Sequence, residues 1–316
     1  LNSVVTIYIL IPLILVPQLL FSGAVIDFDK MHNNKASDYI VPIQGDLMTS
    51  RWAFEAITVT QFKDNKFEKH FYPYEQQQYT ANYYRSFSIP KLLELIDEIE
   101  ESFNKNIDSS RINKDLKIIK SEIPAICFYL NEKNPFANLN INNFDTTLFG
   151  NIRSFLIQAE KKFNNQYRYA VHHKDSVYNS MIEKLGNKEK LLEIKNKYHN
   201  KQLADGLTNE KEFMELSIQD DKLVPQKNFI YRFPLKTNGR AHFYAPVKRI
   251  SNYFIDTFWF NIIVIWIYSC FLFVLLYFDI LRKIIAYFET LRLNRIARRR
   301  LLRLLNITEQ QPIKGK

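Results

Sequence analysis

Hydrophobic positions are concentrated at the two ends of the chain. Residues 1–26 contain no charged side chain, and a second uncharged run of 22 residues extends from Thr257 to Phe278. A helix needs about 20 mainly apolar residues to cross the hydrocarbon core of a bilayer. The pattern therefore predicts two transmembrane helices, one at each end of a long polar region.

A signal peptide is the alternative interpretation of the first apolar run. Such a peptide has a basic start and an apolar stretch of only about 7–15 residues, whereas this run lacks a basic start and is longer. Pro12 and Pro17 interrupt the run. They are compatible with a membrane helix, because neighbouring helices can satisfy the freed carbonyl groups. We therefore expect a membrane helix here.

Helical spacing of apolar residues predicts a mostly helical region between the two spans. An amphipathic helix is expected over Ser50–Asn65, with Ser50 as its N-cap. Pro124 is expected to end one of the later helices and Gly186 to end the longest. After Pro225, alternating aromatic residues predict short extended pieces. The remaining predicted helices cover residues 89–105, 113–123, 144–185 and 188–207.

These elements define a mainly α protein. Two transmembrane helices flank a large, mostly helical extracytoplasmic domain, and a basic cytoplasmic helix follows. The predicted boundaries are 1–26 for the first transmembrane helix, 27–65 for an external connector and membrane-adjacent amphipathic helix, 66–253 for the extracytoplasmic domain, 254–279 for the second transmembrane helix and 280–316 for the cytoplasmic basic tail.

Net positive charge is concentrated in the C-terminal tail. The chain carries a net charge of +10, and residues 280–316, with ten Lys or Arg and two Glu, account for +8 of it. Basic residues directly after a span indicate the cytoplasmic side, so the middle region is expected outside the membrane. Nucleic acid is not an expected partner. The tail's amphipathic pattern is compatible with lying on the inner leaflet of the bilayer or docking on a cytoplasmic partner.

Candidate catalytic chemistry is sparse. No GxxxxGK[ST], HExxH or GxSxG motif is present, and the two cysteines, Cys127 and Cys270, fall in different predicted compartments. His172-His173 is interpreted as a solvated pair, and the carboxylates between Glu94 and Glu101 as the wet face of a helix. The aromatic residues from Tyr72 to Phe87 indicate either a core or a carbohydrate or peptide platform. We expect no catalytic residue, cofactor or metal in this chain.

Two terminal segments carry a resemblance to a known family. PQLLFSGAVIDFDKM with SRWAFEAITV, and RAHFYAP with DTFWFN and LYFDILRK, resemble the ending of the permease in bacterial ABC type-2 (G-type-like) exporters, in a form with a fused ATPase typical of Bacteroidetes-like bacteria. The better-known members have a much shorter external loop between these segments. The residues that match the first of these segments are Pro17, Gln18, Phe21, Ser22 and Gly23, and those that match the second are Arg51, Trp52, Ala53, Phe54, Glu55 and Ala56.

The resemblance implies a function by conformational change rather than covalent chemistry. The chain would be the C-terminal part of a longer polypeptide in the bacterial inner membrane, with its middle domain in the periplasm. An upstream ATPase domain would use ATP and Mg, and the protein would form a homodimer. Pro12, Pro17 and Gln18 would line a possible translocation path, although a polar residue such as Gln18 also fits interhelical hydrogen bonding.

Two other classes remain open at this point. A two-span membrane protein with a periplasmic helical domain, of the polysaccharide co-polymerase or sensor type, fits the same pattern and needs no ATPase. A periplasmic enzyme tethered by two helices is the third interpretation. The coding sequence upstream of Leu1 would separate them, because the exporter requires a nucleotide-binding motif and four further spans there.

Overall fold

The molecule is mainly helical, as the sequence predicts. The computed structural model describes residues 4–25, 41–104, 109–136, 146–219 and 221–280, together with residues 283 and 287. The predicted connector over residues 27–40 and nearly all of the predicted cytoplasmic tail lie outside these ranges. Contacts divide the chain into two compact units, residues 1–262 and residues 263–316.

The first apolar run forms helix α1, Val4–Leu20, with Pro12 and Pro17 inside it. The helix ends in a turn in which the backbone N–H of Phe21 donates to Pro17 O at 2.9 Å. Gly23 then adopts a φ of +79°, a conformation that glycine takes without the steric cost of a side chain. The FSG sequence is therefore the end of a helix.

The second apolar run forms the last described helix, α10. It spans Thr257–Tyr277, and only Thr257 and Asn261 within it are buried. Within the described part of the chain, this is the one helix long and apolar enough to cross a membrane, with a mean hydropathy of 2.3 over its best window. The predicted first span has 17 described helical residues, from Val4 to Leu20, and its membrane-crossing role stays a prediction.

Two further helices follow the connector. Helix α2 is a short turn, Ile43–Asp46, and α3 covers Thr49–Lys63. The predicted N-cap at Ser50 is wrong, because the helix begins one residue earlier and Met48 occupies the cap position without a side-chain hydrogen bond. The Ser50 hydroxyl instead donates to the backbone oxygen of Gln18 at 2.7 Å.

The aromatic segment from residue 72 onward is part of one continuous helical run. Helix α4, Tyr72–Tyr83, passes through a π-helical turn, Tyr84–Ser88, into α5, Ile89–Asn104. A proline inside a helix leaves a carbonyl without its i→i−4 donor. The π-turn directly before Pro90 changes the local hydrogen-bond pattern, so the chain continues through the proline without a break.

Helix α6, Ser109–Leu130, contradicts the predicted stop at Pro124, which lies inside it. The reason is tertiary packing. Ile123, Ile126 and Cys127 on either side of the proline are all buried, and ending the helix at Pro124 would remove the last two from the core. Burial of this apolar face outweighs the local cost of proline.

The longest predicted helix is confirmed as α7, Thr146–Leu185, 40 residues long. It ends at Gly186, whose φ of +87° supplies the left-handed C-cap that the sequence predicts. The single helix predicted over residues 188–207 is wrong. Two helices occupy that range, α8 over Lys188–Tyr198 and α9 over Lys201–Thr208, because the Asn200 side chain accepts a hydrogen bond from Leu203 N and starts a new helix.

Two antiparallel hairpins lie between α9 and α10. Strands β1, Leu216–Gln219, and β2, Lys222–Pro225, pair with Gln219 opposite Lys222. Strands β3, Val247–Ile250, and β4, Tyr253–Asp256, pair with Ile250 opposite Tyr253. The prediction of extended pieces after Pro225 is confirmed in part. Strand β3 is extended and its hairpin leads straight into α10, whereas Phe229–Tyr231 forms a 3₁₀ turn.

The main hydrophobic core joins α4 to α7. Facing apolar stripes from α5, α6 and α7 interdigitate, and Ile96, Leu156 and Phe163 are fully buried there. Tyr84 stacks on Phe163 with ring centroids 4.7 Å apart. Some aromatic residues of the 72–87 segment are therefore core residues, which agrees with the core interpretation of this segment.

Replacing Ile96 by alanine should destabilise the helical core. The side chain is 0% exposed, so truncation removes buried methylene groups and leaves a cavity worth about 2–5 kcal/mol. Ile157→Ala on α7 is the control, since Ile157 is 41% exposed and should cost under about 1 kcal/mol. Guanidinium unfolding of the detergent-solubilised full chain, followed by circular dichroism, measures both. Equal losses would contradict this packing.

Candidate functional site

A buried charged cluster lies where α3, β3 and α10 meet. Lys248 on β3 donates to Glu55 Oε1 on α3 at 2.6 Å. The Asn261 amide on α10 donates to Glu55 Oε2 at 2.9 Å and to the backbone oxygen of Trp52 at 3.0 Å. Glu55 and Asn261 are 0% exposed and Lys248 is 1% exposed. Three elements far apart in sequence are thus joined by one carboxylate.

Arg51 adds a second buried cation to this cluster. One turn before Glu55 on α3, its Nη2 lies 3.6 Å from Glu55 Oε2, and its side chain is 2% exposed. The guanidinium carbon stands 3.9 Å from the centre of the Trp52 ring, a cation–π distance. Arg51 Nε and Nη1 have no hydrogen-bond partner among the described residues. The positive charge of Arg51 is therefore stabilised by the face of the Trp52 ring and by the nearby carboxylates.

A second carboxylate continues the network toward the surface. Asp46 on α2 lies 3.7 Å from Arg51 and 2.7 Å from Arg240. Arg240 also donates to the backbone oxygen of Val41 at 2.8 Å, and the Trp52 indole donates to Asp46 O at 2.8 Å. The network therefore fixes α2 against α3 as well.

Helix α3 is also tied to both apolar helices by other contacts. Its Ser50 hydroxyl donates to Gln18 O near the end of α1. At its opposite end, Lys63 pairs with Asp256, whose Oδ1 accepts from Phe258 N in the first turn of α10 at 2.9 Å. Together with Asn261, these contacts make α3 the element that joins the end of α1 to the start of α10.

The protonation chemistry of the central pair follows from its surroundings. Burial by itself would raise the pKa of Glu55, but Arg51, Lys248 and the Asn261 amide together hold that pKa below its ordinary value. Burial lowers the pKa of Lys248, and Arg51 lowers it further, against the opposing effect of Glu55. The carboxylate is therefore the ionised centre around which the cations are arranged.

His242 is a buried neutral base beside this cluster. Its Nε2 lies 2.8 Å from the backbone oxygen of Phe229, so Nε2 carries the proton. Burial, together with the positive charges of Arg232 and Lys248, lowers the pKa of His242 to about 3, against the opposing effects of the Phe229 hydrogen bond and Glu55. Protonation of His242 therefore opposes folding.

The structure brings together some of the predicted residues and separates others. Arg51, Trp52 and Glu55 form the cluster, while Phe54 points to a neighbouring aromatic group and stacks on Phe243 with centroids 6.4 Å apart. Ser22 is buried at the end of α1, where its hydroxyl donates to Leu19 O at 2.7 Å. Phe21 and Gly23 form the same turn, and Pro12, Pro17 and Gln18 lie on α1.

Sequence reasoning missed Lys248, Asn261 and His242 as site residues. Asn261 and His242 lie inside the quoted DTFWFN and RAHFYAP segments, so a signal was present. For Asn261 it was an amide in an otherwise apolar run. Lys248 carries no local signal, because one lysine in a charged hairpin is ordinary and its burial depends on Glu55, 193 residues earlier.

The remaining sequence candidates do not form a reaction centre in the described part of the chain. His173 stacks on Tyr169 at 3.8 Å, and His172 is exposed. Asp97 and Glu100 pair with Arg153 at 2.7 and 2.6 Å on the outside of the helical core. No group of three or more His, Cys, Asp or Glu side chains is placed to hold a metal ion within those ranges.

Comparisons of this chain with protein-family models, with curated proteins and with solved structures find no match.

Lys248→Met should be strongly destabilising. It leaves Glu55 buried with one fewer cation, which typically costs about 3–5 kcal/mol. Lys162→Met is the matched control, because Lys162 pairs with Glu132 at 2.5 Å but is 47% exposed and should cost about 1 kcal/mol or less. Guanidinium unfolding of the full chain in detergent measures both. Adding Glu55→Gln to Lys248→Met should recover part of the loss.

A Lys248→Met loss no larger than that of Lys162→Met would contradict the buried ion pair. Failure of Glu55→Gln to recover any stability in the double variant would likewise show that the two side chains are not coupled.

Acidification should weaken the fold through His242. Between pH 6.5 and 3 the unfolded chain binds a proton at this site that the folded chain excludes, so stability falls by up to about 1.4 kcal/mol per pH unit. His242→Gln keeps an amide donor for Phe229 O but does not titrate. The wild type should therefore lose about 2 kcal/mol more than this variant between pH 7 and 5.

Chemical unfolding at the two pH values measures the difference, with the exposed His172→Gln as a control that should follow the wild type. Parallel loss of stability in wild type and His242→Gln would show that His242 is not held neutral.

Proposed function

We propose that this chain is the C-terminal permease portion of an ATP-driven exporter of the ABC type-2 (G-type-like) class. One observation carries the proposal: the segments that bear the resemblance meet in one buried network. Glu55 of RWAFEA and Asn261 of DTFWFN are 206 residues apart in sequence and 2.9 Å apart in space. A chance resemblance of short segments would not require them to pack against each other.

The proposed membrane arrangement has two spans of opposite direction, α1 and α10. Their large apolar side chains are exposed, as those of lipid-facing helices are. Examples are Tyr8 and Leu13 on α1 and Trp266 and Phe273 on α10, which are between 66% and 72% exposed. The spans cross a bacterial inner membrane. With the basic tail in the cytoplasm, the helical domain between the spans lies in the periplasm.

Helices α2 and α3 are proposed to lie at the interface between the inner membrane and the periplasm. Ile43 on α2, Ile57 on α3 and Leu47 between the two helices are 61–67% exposed, while the charged face of α3 turns inward to Lys248 and Asn261. A helix with an apolar outer side next to a span is suited to the headgroup region of a bilayer. The arrangement, with apolar side chains outside and charged side chains inside, supports a position of α2 and α3 next to the membrane.

The proposed mechanism is transmission of movement rather than chemistry on a substrate. Nucleotide-driven rearrangement of an upstream ATPase domain, with ATP and Mg, would move the spans of a homodimer. Because α3 is tied to Gln18 on α1 and to Asn261 on α10, a displacement of one helix end is passed to the other through α3. Pro12, Pro17 and Gln18 are the proposed path-lining residues.

The complete coding sequence and its product test this assignment. We expect a P-loop motif and four further apolar spans upstream of Leu1. Purified complete protein in lipid nanodiscs should hydrolyse ATP, and substituting alanine for the P-loop lysine should abolish that activity, since this lysine contacts the transferred phosphate. The same preparation of Lys162→Met, a surface change outside the network, should retain the wild-type rate.

A start codon shortly upstream of Leu1 with no nucleotide-binding motif would overturn the exporter assignment and favour the two-span co-polymerase or sensor class. Topology provides a second check. Cys127 is buried and unsuited to labelling, so a single cysteine at exposed Glu189 should react with an impermeant maleimide from outside. Labelling from the cytoplasm only would contradict the periplasmic placement.

A further inference from the structure

A large cavity lies in the helical domain, away from the Glu55 cluster. Its volume is about 680 Å³, and its walls come from the end of α3, from α4, α7, α8 and α9, and from Tyr231. Sites for small organic ligands usually measure about 300–1,000 Å³ and combine apolar walls with a few polar groups. The size alone therefore permits a ligand, and the lining decides its chemistry.

Glu68 is the most deeply buried carboxylate of this cavity. Its side chain is 6% exposed, and its Oε1 lies 2.6 Å from His199 Nδ1. No described residue donates a hydrogen bond to its other carboxylate oxygen. Burial and the negative charge of Glu75 raise the pKa of Glu68, against the opposing effects of His199 and Lys195. That second carboxylate oxygen is not among the buried polar atoms without a partner, so it is open to the cavity, where it can accept a hydrogen bond from a donor that enters.

Glu75 is the second carboxylate of the cavity. It accepts a hydrogen bond from the Tyr231 hydroxyl at 3.1 Å. The nearest cation to it is Lys174 on α7, at 3.9 Å, the outer limit of an ion pair. Glu68 and Glu75 thus place two negative charges in one cavity, and neither has a close, well-formed contact with a lysine or arginine.

Aromatic rings form part of the remaining wall. Tyr79 and Tyr231 stack with centroids 4.5 Å apart, and Phe67 and Phe71 lie 4.9 Å apart. Tyr178 contributes a further ring from α7. Aromatic faces attract positive charge and also pack well against apolar groups.

The charge of the lining is negative overall. Five carboxylate residues face three lysines, and His199 is the only histidine among the lining residues. A neutral sugar would use the rings but would leave the negative charges of buried Glu68 and half-buried Glu75 without a close cation. A metal ion is not indicated, because no set of three or more ligating side chains is assembled within the described ranges.

We propose that this cavity binds an organic cation: a protonated amine whose ammonium group pairs with Glu68 and Glu75 and whose apolar body packs against the aromatic rings. Lys174, at the edge of the cavity, competes with the bound ammonium group for Glu75. This binding does not depend on the exporter assignment, because every residue that carries it lies in the helical domain.

Calorimetric titration of the full chain in phosphatidylcholine nanodiscs tests the proposal. The probe is 4-phenylbutylamine, and 4-phenylbutan-1-ol is its uncharged counterpart. Empty nanodiscs correct for partitioning into lipid. We expect saturable binding of one amine per chain and at least about tenfold weaker binding of the alcohol, since a charge-assisted hydrogen bond is lost.

Three variants assign the binding to this cavity. Glu68→Gln and Glu75→Gln should each weaken amine binding by about tenfold or more. Lys174→Met should strengthen it by about threefold, because the competing cation is removed, and a folding defect cannot produce a gain of affinity. Glu193→Gln, an exposed change on α8 outside the cavity, should bind as the wild type does.

Several outcomes would overturn the proposal, provided that circular dichroism melting shows each protein to be folded. Equal binding of amine and alcohol would mean that the cavity takes apolar compounds irrespective of charge. Unchanged amine binding in both glutamate variants would place the amine elsewhere. Binding of a neutral maltooligosaccharide, without any of the amine, would identify a carbohydrate site instead.

Discussion

The buried carboxylate of Glu55 is the constraint on which the arrangement around the two apolar helices depends. An ionised carboxylate without water is costly unless cations and hydrogen-bond donors surround it. Here Lys248, Arg51 and Asn261 provide that surrounding. Buried ion pairs contribute little net stability compared with apolar packing, but they tolerate few alternative geometries. In this chain the pair therefore selects one relative placement of α3, β3 and α10.

That placement makes α3 a mechanical link. The helix contacts the end of α1 through Ser50, and it contacts the beginning of α10 through Trp52, Glu55 and Lys63. Each contact involves a short, directional polar interaction rather than sliding apolar surfaces. A movement that kept these contacts would carry α3 and the adjoining helix ends together, whereas a movement that broke them would expose buried charge. Rigid displacement is thus the lower-energy route.

The sequence predicts the elements better than their ends and better than the site. Apolar periodicity locates α7, and an uncharged run locates α10, because both patterns are local properties. The start predicted for the second span is wrong, since residues 254–256 belong to β4 and the helix begins at Thr257. The stop at Pro124 fails because burial of Ile126 and Cys127 decides the outcome. Lys248 could not be identified from sequence, because its role exists only once the fold places it 2.6 Å from Glu55.

Two of the buried glutamates, Glu55 and Glu68, show how similar burial leads to different chemistry. Glu55 has cations and an amide on both carboxylate oxygens, so its pKa is lowered and its charge is fixed. For Glu68, burial and the neighbouring Glu75 carboxylate raise the pKa, and the contacts with His199 and Lys195 offset that effect only in part. A structural ion pair needs complete satisfaction by the protein itself. A binding site for a positively charged group requires a carboxylate that the protein's own donors and cations leave partly unpaired, and Glu68 is such a carboxylate beside a large cavity with aromatic walls. The chain thus separates a fixed junction at the apolar helices from a receptive site in its helical domain.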